Sequence, residues 1–546
     1  MSTQSLTVAD ELVRRKREEQ LALPESLGDF VRDQAALYGE QPLAVWFETD
    51  RTLTYRGLDR DASALASSLA KRGVRKGTHV AVLCGNLPAF PITWVALGRL
   101  GAVMIPVNTA YTNEEVAFIL RDSDAQYVVV DTANLEKVNA VVDQLELLDE
   151  SRVIVVGAPE SENAIENLIR QGDPLFVPPY RVSRDDLLNI QYTSGTTGFP
   201  KGCMLSHDYW MIHGHNSARH RRAASGDIKN VLIWAPFFYM DPMWQFLMTM
   251  KLGGTAWVAN RMSLTNFLDW LIDYKIHYCI FPEPALTVHP ASEKDKKTCL
   301  KYISVYSWTE RARREVMERF NVIAREAYGM TEIGTGTLVP DWADEKSLLR
   351  TCGVPAAFRE LRIMNDDLTE TPEGEVGELW VSGRSIFWGY YKRPVANAES
   401  FDGKWFRTGD LFRRDADGFY YLVGRIKEMI KRSGENVAAN EVEAVLRSLP
   451  GIEEAAVVPV PDPLRREEVK AYLKLKEGMT VTDLPPEVVL EHCRKHLAAF
   501  KVPRYLQYME VDFPRTPSRK IAKKVLIQNM SDPFLNTYDA QDKQWR

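Results

Sequence analysis

Residues 192–202 read Tyr-Thr-Ser-Gly-Thr-Thr-Gly-Phe-Pro-Lys-Gly and directly follow an apolar run at 187–190. Thr193, Ser194, Thr196 and Thr197 offer hydroxyl donors, Gly195, Gly198 and Gly202 let backbone N–H groups converge, and Lys201 adds a mobile positive charge. That combination suits a polyphosphate. Pro200 before the lysine and Gly202 after it depart from the G-x-x-x-x-G-K-[ST] loop of nucleotide hydrolases, which is therefore set aside. A plain Ser/Thr/Gly surface turn is the alternative, and Pro-Lys-Gly after paired threonines is more than such a turn demands. His213 and His215, two residues apart, diverge on a helix and make a poor metal pair.

The elements that must position this loop show as short β-branched runs at 80–83, 127–130, 153–156, 231–234 and 278–281, alternating with helical patterns such as 92–99. This is the rhythm of βαβ units on parallel sheets. The best boundary falls between Asp417 and Gly434, after which a small α+β pattern follows: helices at 437–449 and 487–497, strands at 455–459, 471–476 and 505–511. The 546 residues are 45% hydrophobic and 26% charged, which describes a globular chain of several domains. A net charge of -6, with both signs interspersed, leaves no basic stripe for nucleic acid. The six cysteines form no C-x-x-C pair, which fits a reducing, cytoplasmic setting. Residues 80–98 lack charge but hold Asn86, Pro88 and Pro91, so they break into a strand and a helix rather than a membrane span. Residues 1–23 are polar around Arg14-Arg15-Lys16-Arg17 and read as a helical or frayed arm, not a secretory signal.

Further motifs stand in order along the chain: Tyr-Gly-Met-Thr-Glu at 328–332, Trp-Phe-Arg-Thr-Gly-Asp at 405–410, Gly-Arg-Ile-Lys at 424–427, Gly-Glu-Asn-Val at 434–437 and Pro-Arg-Thr-Pro-Ser-Arg-Lys at 514–520. With the 192–202 loop, their order and spacing resemble the adenylate-forming superfamily, and within it the acyl-CoA synthetases, over about residues 27–526. Carnitine or crotonobetaine CoA ligase-like and 4-coumarate CoA ligase-like members are nearest in flavour. The resemblance implies an α/β fold: a large N-terminal domain (1–426) of doubly wound mixed sheets, with βαβ subdomains plus a small β-barrel-like subdomain, and a small mobile α+β C-terminal domain (427–546) hinged at Lys427.

It also implies a two-step reaction in which a carboxylate attacks the α-phosphate of ATP, leaving an acyl-adenylate, and the thiol of coenzyme A then displaces AMP. Bringing an anion to a polyanion calls for gathered donors and for Mg²⁺. By resemblance, residues 193–201 hold the leaving phosphates, Thr331 reaches the α-phosphate, and Glu332 is the metal carboxylate. Tyr328, with Gly329 and Met330, faces adenine; Asp410 accepts the ribose hydroxyls, as a carboxylate can from a cis-diol; Arg425 reaches the ribose from the far side. Lys520 serves the adenylation pose, while Gly434 and Glu435, with residues 436–437, line the pantetheine tunnel in the thioester pose. The resemblance leaves a homodimer open.

Three positions depart from the family pattern. Tyr239, in Phe-Phe-Tyr-Met at 237–240, stands where many relatives place histidine. Val-Tyr-Ser-Trp at 305–308 replaces a small-residue wall, and Arg519 replaces a glycine before Lys520. A β-carbon before the lysine would strain a sharp turn. These departures keep two alternatives open beside the full ligase: an enzyme that only forms thioester from supplied acyl-adenylate, and a degenerate nucleotide-binding regulator. A carrier-protein acceptor also stays open. Tyr239, Met240, Trp244, Tyr306, Trp308, Met330 and Gly334 fall in segments resembling the acyl pocket, and suit a bulky apolar acid or, as an aromatic cage, a quaternary ammonium; each has core filling as its alternative. Residues 219–222, Arg-His-Arg-Arg, either touch the CoA phosphates or form a solvated helix face.

Overall fold

Strands buried on both faces need continuous apolar runs, and Val-rich runs of this kind build the first sheet. The computed structural model describes residues 6–546 except 194–199, 226–227, 307, 427–428, 433–434, 463–464, 498, 517–519 and 529–531. The chain divides into two compact units: one holds the chain up to Glu360 together with Val381–Phe406, the other Leu361–Trp380 with Arg407–Arg546.

The larger unit contains a six-stranded sheet in the order Val153–Val156, Tyr127–Asp131, His79–Leu83, Val103–Pro106, Leu187–Thr193, Lys201–Ser206. All neighbours are parallel except the last pair. A second, seven-stranded sheet runs Ile323–Arg325, Tyr302–Ser304, Tyr278–Ile280, Asn230–Ile233, Thr255–Val258, Pro42–Trp46, Arg51–Thr54, again parallel save for its final pair. Two of the helices start at side-chain caps: Thr112 accepts from the Glu115 N–H and Glu115 answers in a capping box, and Thr54 caps Tyr55–Lys71. A three-stranded antiparallel sheet, Ala327–Met330, Gly334–Leu338 and Val354–Pro355, carries the Tyr-Gly-Met-Thr-Glu segment.

The smaller unit has its own core of Val442, Leu446, Val457, Leu473 and Leu490. Its long ladder pairs Ile452–Asp462 with Arg466–Leu475, which extends the strands expected at 455–459 and 471–476. The helix expected from 437 begins later, at Ala439, because Val437 and Ala438 are still paired with Ile430 and Met429. The strand expected to reach 511 ends at Tyr508.

The N-terminal arm is helical over Val8–Glu18, started by a capping box between Thr7 and Asp10. Within its basic run Lys16 and Arg17 are exposed, but Arg15 is not. Arg15 is buried, pairs with Glu11 at 2.8 Å and donates to the Val354 carbonyl at 2.8 Å, while Glu19 accepts the Phe358 N–H. Glu18 meets His215 and Arg219 on the helix His207–Ser225. Breaking a buried pair leaves its partner's charge uncompensated. Arg15→Ala should therefore lower the unfolding free energy by about 3 kcal/mol, read by denaturant unfolding, whereas a change of under about 0.5 kcal/mol would show that the helix is not anchored.

Candidate active site

The phosphate-type loop joins two antiparallel strands, with Thr193 paired directly to Lys201 and Tyr192 to Gly202. It is therefore a hairpin connection, unlike the strand-to-helix turn of nucleotide hydrolases. Ser194, Gly195, Thr196, Thr197 and Gly198 lie outside the described residues. Gly202 does not serve a turn as expected. It lies in an extended strand, where a β-carbon would stand 2.5 Å from Ile190 Cγ2 and 3.2 Å from the Tyr192 ring, so the glycine admits a close approach. Tyr192 donates to Asp122 at 2.7 Å.

Thr331 and Glu332 occupy the tip of a tight hairpin between Ala327–Met330 and Gly334–Leu338, where Met330 pairs with Gly334. Gly334 takes φ +65°, the left-handed conformation that lets a three-residue loop close. A β-carbon on Gly329 would meet the Gly334 carbonyl oxygen at 2.5 Å. Tyr209 donates to the Thr331 carbonyl at 2.9 Å, and burial pushes its phenol well up, so it remains a donor. Tyr328 is buried, and its hydroxyl reaches Met330 Sδ at 3.6 Å.

Although it sits at a hairpin tip, Glu332 is only 7% exposed. Residues 387–390 cover it: the Phe387 N–H donates to the Glu332 carbonyl at 2.8 Å, and the Tyr390 hydroxyl to Glu332 Oε1 at 2.8 Å. The Lys201 ammonium lies 4.8 Å from the centre of the same Tyr390 ring. One aromatic residue thus touches both the expected phosphate lysine and the expected metal acid. Tyr390 was missed in the sequence because nothing in Gly-Tyr-Tyr-Lys marks it as more than a turn. Among the described residues, no group of three or more His, Cys, Asp or Glu side chains gathers as a metal site. A lone buried carboxylate still fits Mg²⁺, which takes one or two protein carboxylates and draws its remaining ligands from phosphates and water.

The segment before the helix Met240–Lys251 is held by two buried amides. Asn86 Nδ2 donates to the Ala235 carbonyl at 3.0 Å, its Oδ1 accepts the Phe237 N–H at 2.8 Å, and Gln191 Nε2 donates to the Phe238 carbonyl at 2.8 Å. Tyr239, at the histidine position, accepts from Asn108 Nδ2 at 3.1 Å. Met240 opens the helix, and Trp244 donates to Asp241 at 2.9 Å with its ring 5.8 Å from that of His213. His213 Nδ1 lies 2.7 Å from Thr335 Oγ1, beside Gly334 in the chain. The two histidines do diverge: His213 faces this cluster, and His215 faces Glu18.

Other expectations are corrected. Trp308 is 3% exposed and packs edge-on against Phe281 in a core with Val305 and Ile303, answering to core filling rather than to a pocket wall; Tyr306 is exposed. His220 is buried beside the Tyr302 hydroxyl, whereas Arg219 is exposed and pairs with Glu18; the side chains at 221 and 222 lie outside the described ones. Val437 belongs to the small unit's core.

In the smaller unit Asp410 and Arg425 are cross-strand partners and form an ion pair at 2.9 Å. The two side chains therefore meet directly. Asp410 lies within the strand Trp405–Arg414, where Gly409, at φ +72°, donates to Glu378 Oε1 at 3.0 Å and Thr408 Oγ1 accepts the Asp410 N–H at 3.1 Å. Lys520 is exposed, its N–H donating to Thr516 Oγ1 at 3.2 Å and its carbonyl accepting from the Thr516 N–H at 2.8 Å. Arg519, Lys427 and Gly434 lie outside the described residues; Glu435 begins the strand Glu435–Ala438.

The sheets, with an acid hairpin and a hydroxyl-rich loop on one unit, match the architecture of adenylate-forming enzymes. Anthranilate CoA ligase AuaEII, in complex with anthranoyl-AMP, has this fold with a TM-score of 0.83 at 22% identity, covering 93% of this chain and 98% of that one. ATP-bound MatB from Rhodopseudomonas palustris gives a TM-score of 0.81 at 25% identity, covering 92% and 99%. The crotonobetaine/carnitine–CoA ligase of Citrobacter koseri is 31% identical over 511 residues, 90% of this chain and 97% of that protein. Residues 31–391 match the AMP-binding enzyme family and 441–520 its C-terminal domain. The chain belongs to the AMP-binding enzyme family.

Gly334 sets the hairpin that presents Thr331 and Glu332, and its Cα faces Tyr209, whose hydroxyl would lie 3.4 Å from an added β-carbon. Gly334→Ala should cost about 1–2 kcal/mol in thermal or denaturant unfolding, from φ strain. An unchanged midpoint would show that the hairpin relaxes freely.

Proposed function

We propose that the chain is an ATP-dependent acid–thiol ligase that activates a carboxylic acid as its acyl-adenylate and transfers the acyl group to coenzyme A. The observation that carries this reading is the joining of Lys201 and Glu332 through Tyr390, which sets a phosphate-binding cation and a cation-binding acid at one place. Bound Mg²⁺ would neutralise part of the phosphate charge. In this reading residues 193–201 hold the phosphates, Thr331 and Glu332 serve the α-phosphate and the cation, and Tyr328 with Gly329 and Met330 flanks adenine. Asp410 takes the ribose diol, and its ion pair with Arg425 keeps the carboxylate aimed. Lys520 serves adenylation, Gly434 and Glu435 serve the pantetheine, and rotation at Lys427, between domains 1–426 and 427–546, alternates the two.

The acid's tail lies against Tyr239, Trp244, His213 and Gly334. Aromatic faces suit an apolar tail or a quaternary ammonium, and the Citrobacter relative named for crotonobetaine and carnitine supports the second. Five of the six free cysteines are buried, which supports a reducing, cytoplasmic setting.

Lys520→Ala should lower ATP–pyrophosphate exchange by about 100-fold or more, the scale for losing a charge-stabilising group, while thioester formation from supplied acyl-adenylate and CoA stays intact. Equal loss of both steps would contradict domain alternation, and a wild type with no exchange on any acid would sink the adenylation half. Asp410→Ala should weaken AMP binding by about 1.5–3 kcal/mol in calorimetry, the range for hydrogen bonds to a charged group. Unchanged affinity in the folded variant would remove Asp410 from the nucleotide site.

A further inference from the structure

Tyr390 is gripped from both sides of its backbone. Asn397 Oδ1 accepts its N–H at 2.7 Å, and Asn397 Nδ2 donates to its carbonyl at 2.9 Å. The preceding Gly389, at φ +110°, lets the chain turn there, and Tyr390 pairs as a bridge with Cys203 in the strand that begins at Lys201. Further backbone bonds run from Trp388 to Met204, from Met204 to Gly389 and from Tyr391 to Gly202. These bonds fix the Tyr390 backbone, and its ring packs edge-on against Phe387 with centroids 5.0 Å apart. Its hydroxyl fixes one oxygen of the Glu332 carboxylate, and its face meets the Lys201 ammonium. A carboxylate with one oxygen fixed presents the other in a defined direction, which is how outer hydrogen bonds tune a metal ligand.

We propose that Tyr390 is a positioning residue for nucleotide binding, aiming the Glu332 carboxylate at the divalent cation through its hydroxyl and placing the Lys201 ammonium at the phosphates through its ring. This rests on the reading of the site as one for a metal–ATP complex. The two roles separate chemically: Tyr390→Phe keeps the ring and loses only the hydroxyl, whereas Tyr390→Leu loses both.

The test is ATP affinity by calorimetry over a series of Mg²⁺ concentrations, with ATP also titrated in the presence of a chelator. Tyr390→Phe should raise the Mg²⁺ concentration needed for half-maximal strengthening of ATP binding by about 10-fold, the low end for outer-shell changes, and leave metal-free ATP affinity unchanged. Tyr390→Leu should weaken metal-free ATP binding as well. An unaltered Mg²⁺ dependence in Tyr390→Phe would overturn the proposal, as would equal weakening of metal-free and metal-loaded ATP, the mark of a purely structural side chain. The near-isosteric Tyr390→Phe decides the matter even where Tyr390→Leu does not fold. A wild type that binds no ATP would count instead against the proposed function.

Discussion

A carboxylate taken out of water must be given hydrogen-bond donors, and the need to satisfy Glu332 shapes the region around it. The acid sits at the tip of the hairpin between Ala327–Met330 and Gly334–Leu338. One donor comes from Tyr390, 58 residues further on, and the covering segment also bonds the Glu332 carbonyl through Phe387. To arrive there, residues 387–391 run along the strand Lys201–Ser206 and close the edge that the strand would otherwise present. Satisfying one buried acid thus ties the three-stranded sheet, the loop-bearing hairpin and the covering segment together.

Further tethers fix the same segment at its far end. Tyr391 donates to Asp124 at 2.8 Å, Lys392 pairs with Asp124 at 2.6 Å, and Arg393 pairs with Asp122 at 2.6 Å, the acid that also accepts from Tyr192. Exposed pairs of this kind contribute little stability singly. Their value is directional, because Asp122 at the helix end and Asp124 two residues beyond it hold both the loop strand and the covering segment. On the other side, Tyr209 and His213 from the helix His207–Ser225 reach the Thr331 carbonyl and Thr335, and the N-terminal helix reaches that same helix through Glu18.

The chemistry is divided between units that each fold around their own core. The larger carries Lys201, Tyr328, Thr331 and Glu332, and the smaller carries Asp410, Arg425 and Lys520. Of these residues only Lys520 lies beyond the proposed hinge at Lys427, and it is the one the proposal assigns to the adenylation step alone. The exposed Lys520, held by its backbone to Thr516, and Asp410, fixed by Glu378, Thr408 and Arg425, show two degrees of anchoring within one unit.

The sequence by itself determined the parts that are local in the chain. Short Val- and Ile-rich runs alternating with helical patterns read as buried strands of βαβ units, so the parallel sheets were legible. The hydroxyl- and glycine-rich run at 193–201 and the ordered motifs at 328–332, 405–410 and 514–520 named the family, because each packs its chemistry into a few consecutive residues. Tertiary structure alone decided what is assembled from distant residues. Tyr390 shows no signal until the strand Lys201–Ser206 and the Glu332 hairpin converge on it; Asn108 and Asn86 acquire roles only when the loop after one sheet meets the turn after another; and Arg15 becomes a buried anchor only when its helix meets Val354. Trp308 and Val437 point the same way from the other side, since motif position suggested ligand contact and burial assigned them to cores. The physical reason is common to all of them: a side chain's partner is set by which backbones the fold brings within about 3 Å, and that distance is not written in sequence spacing.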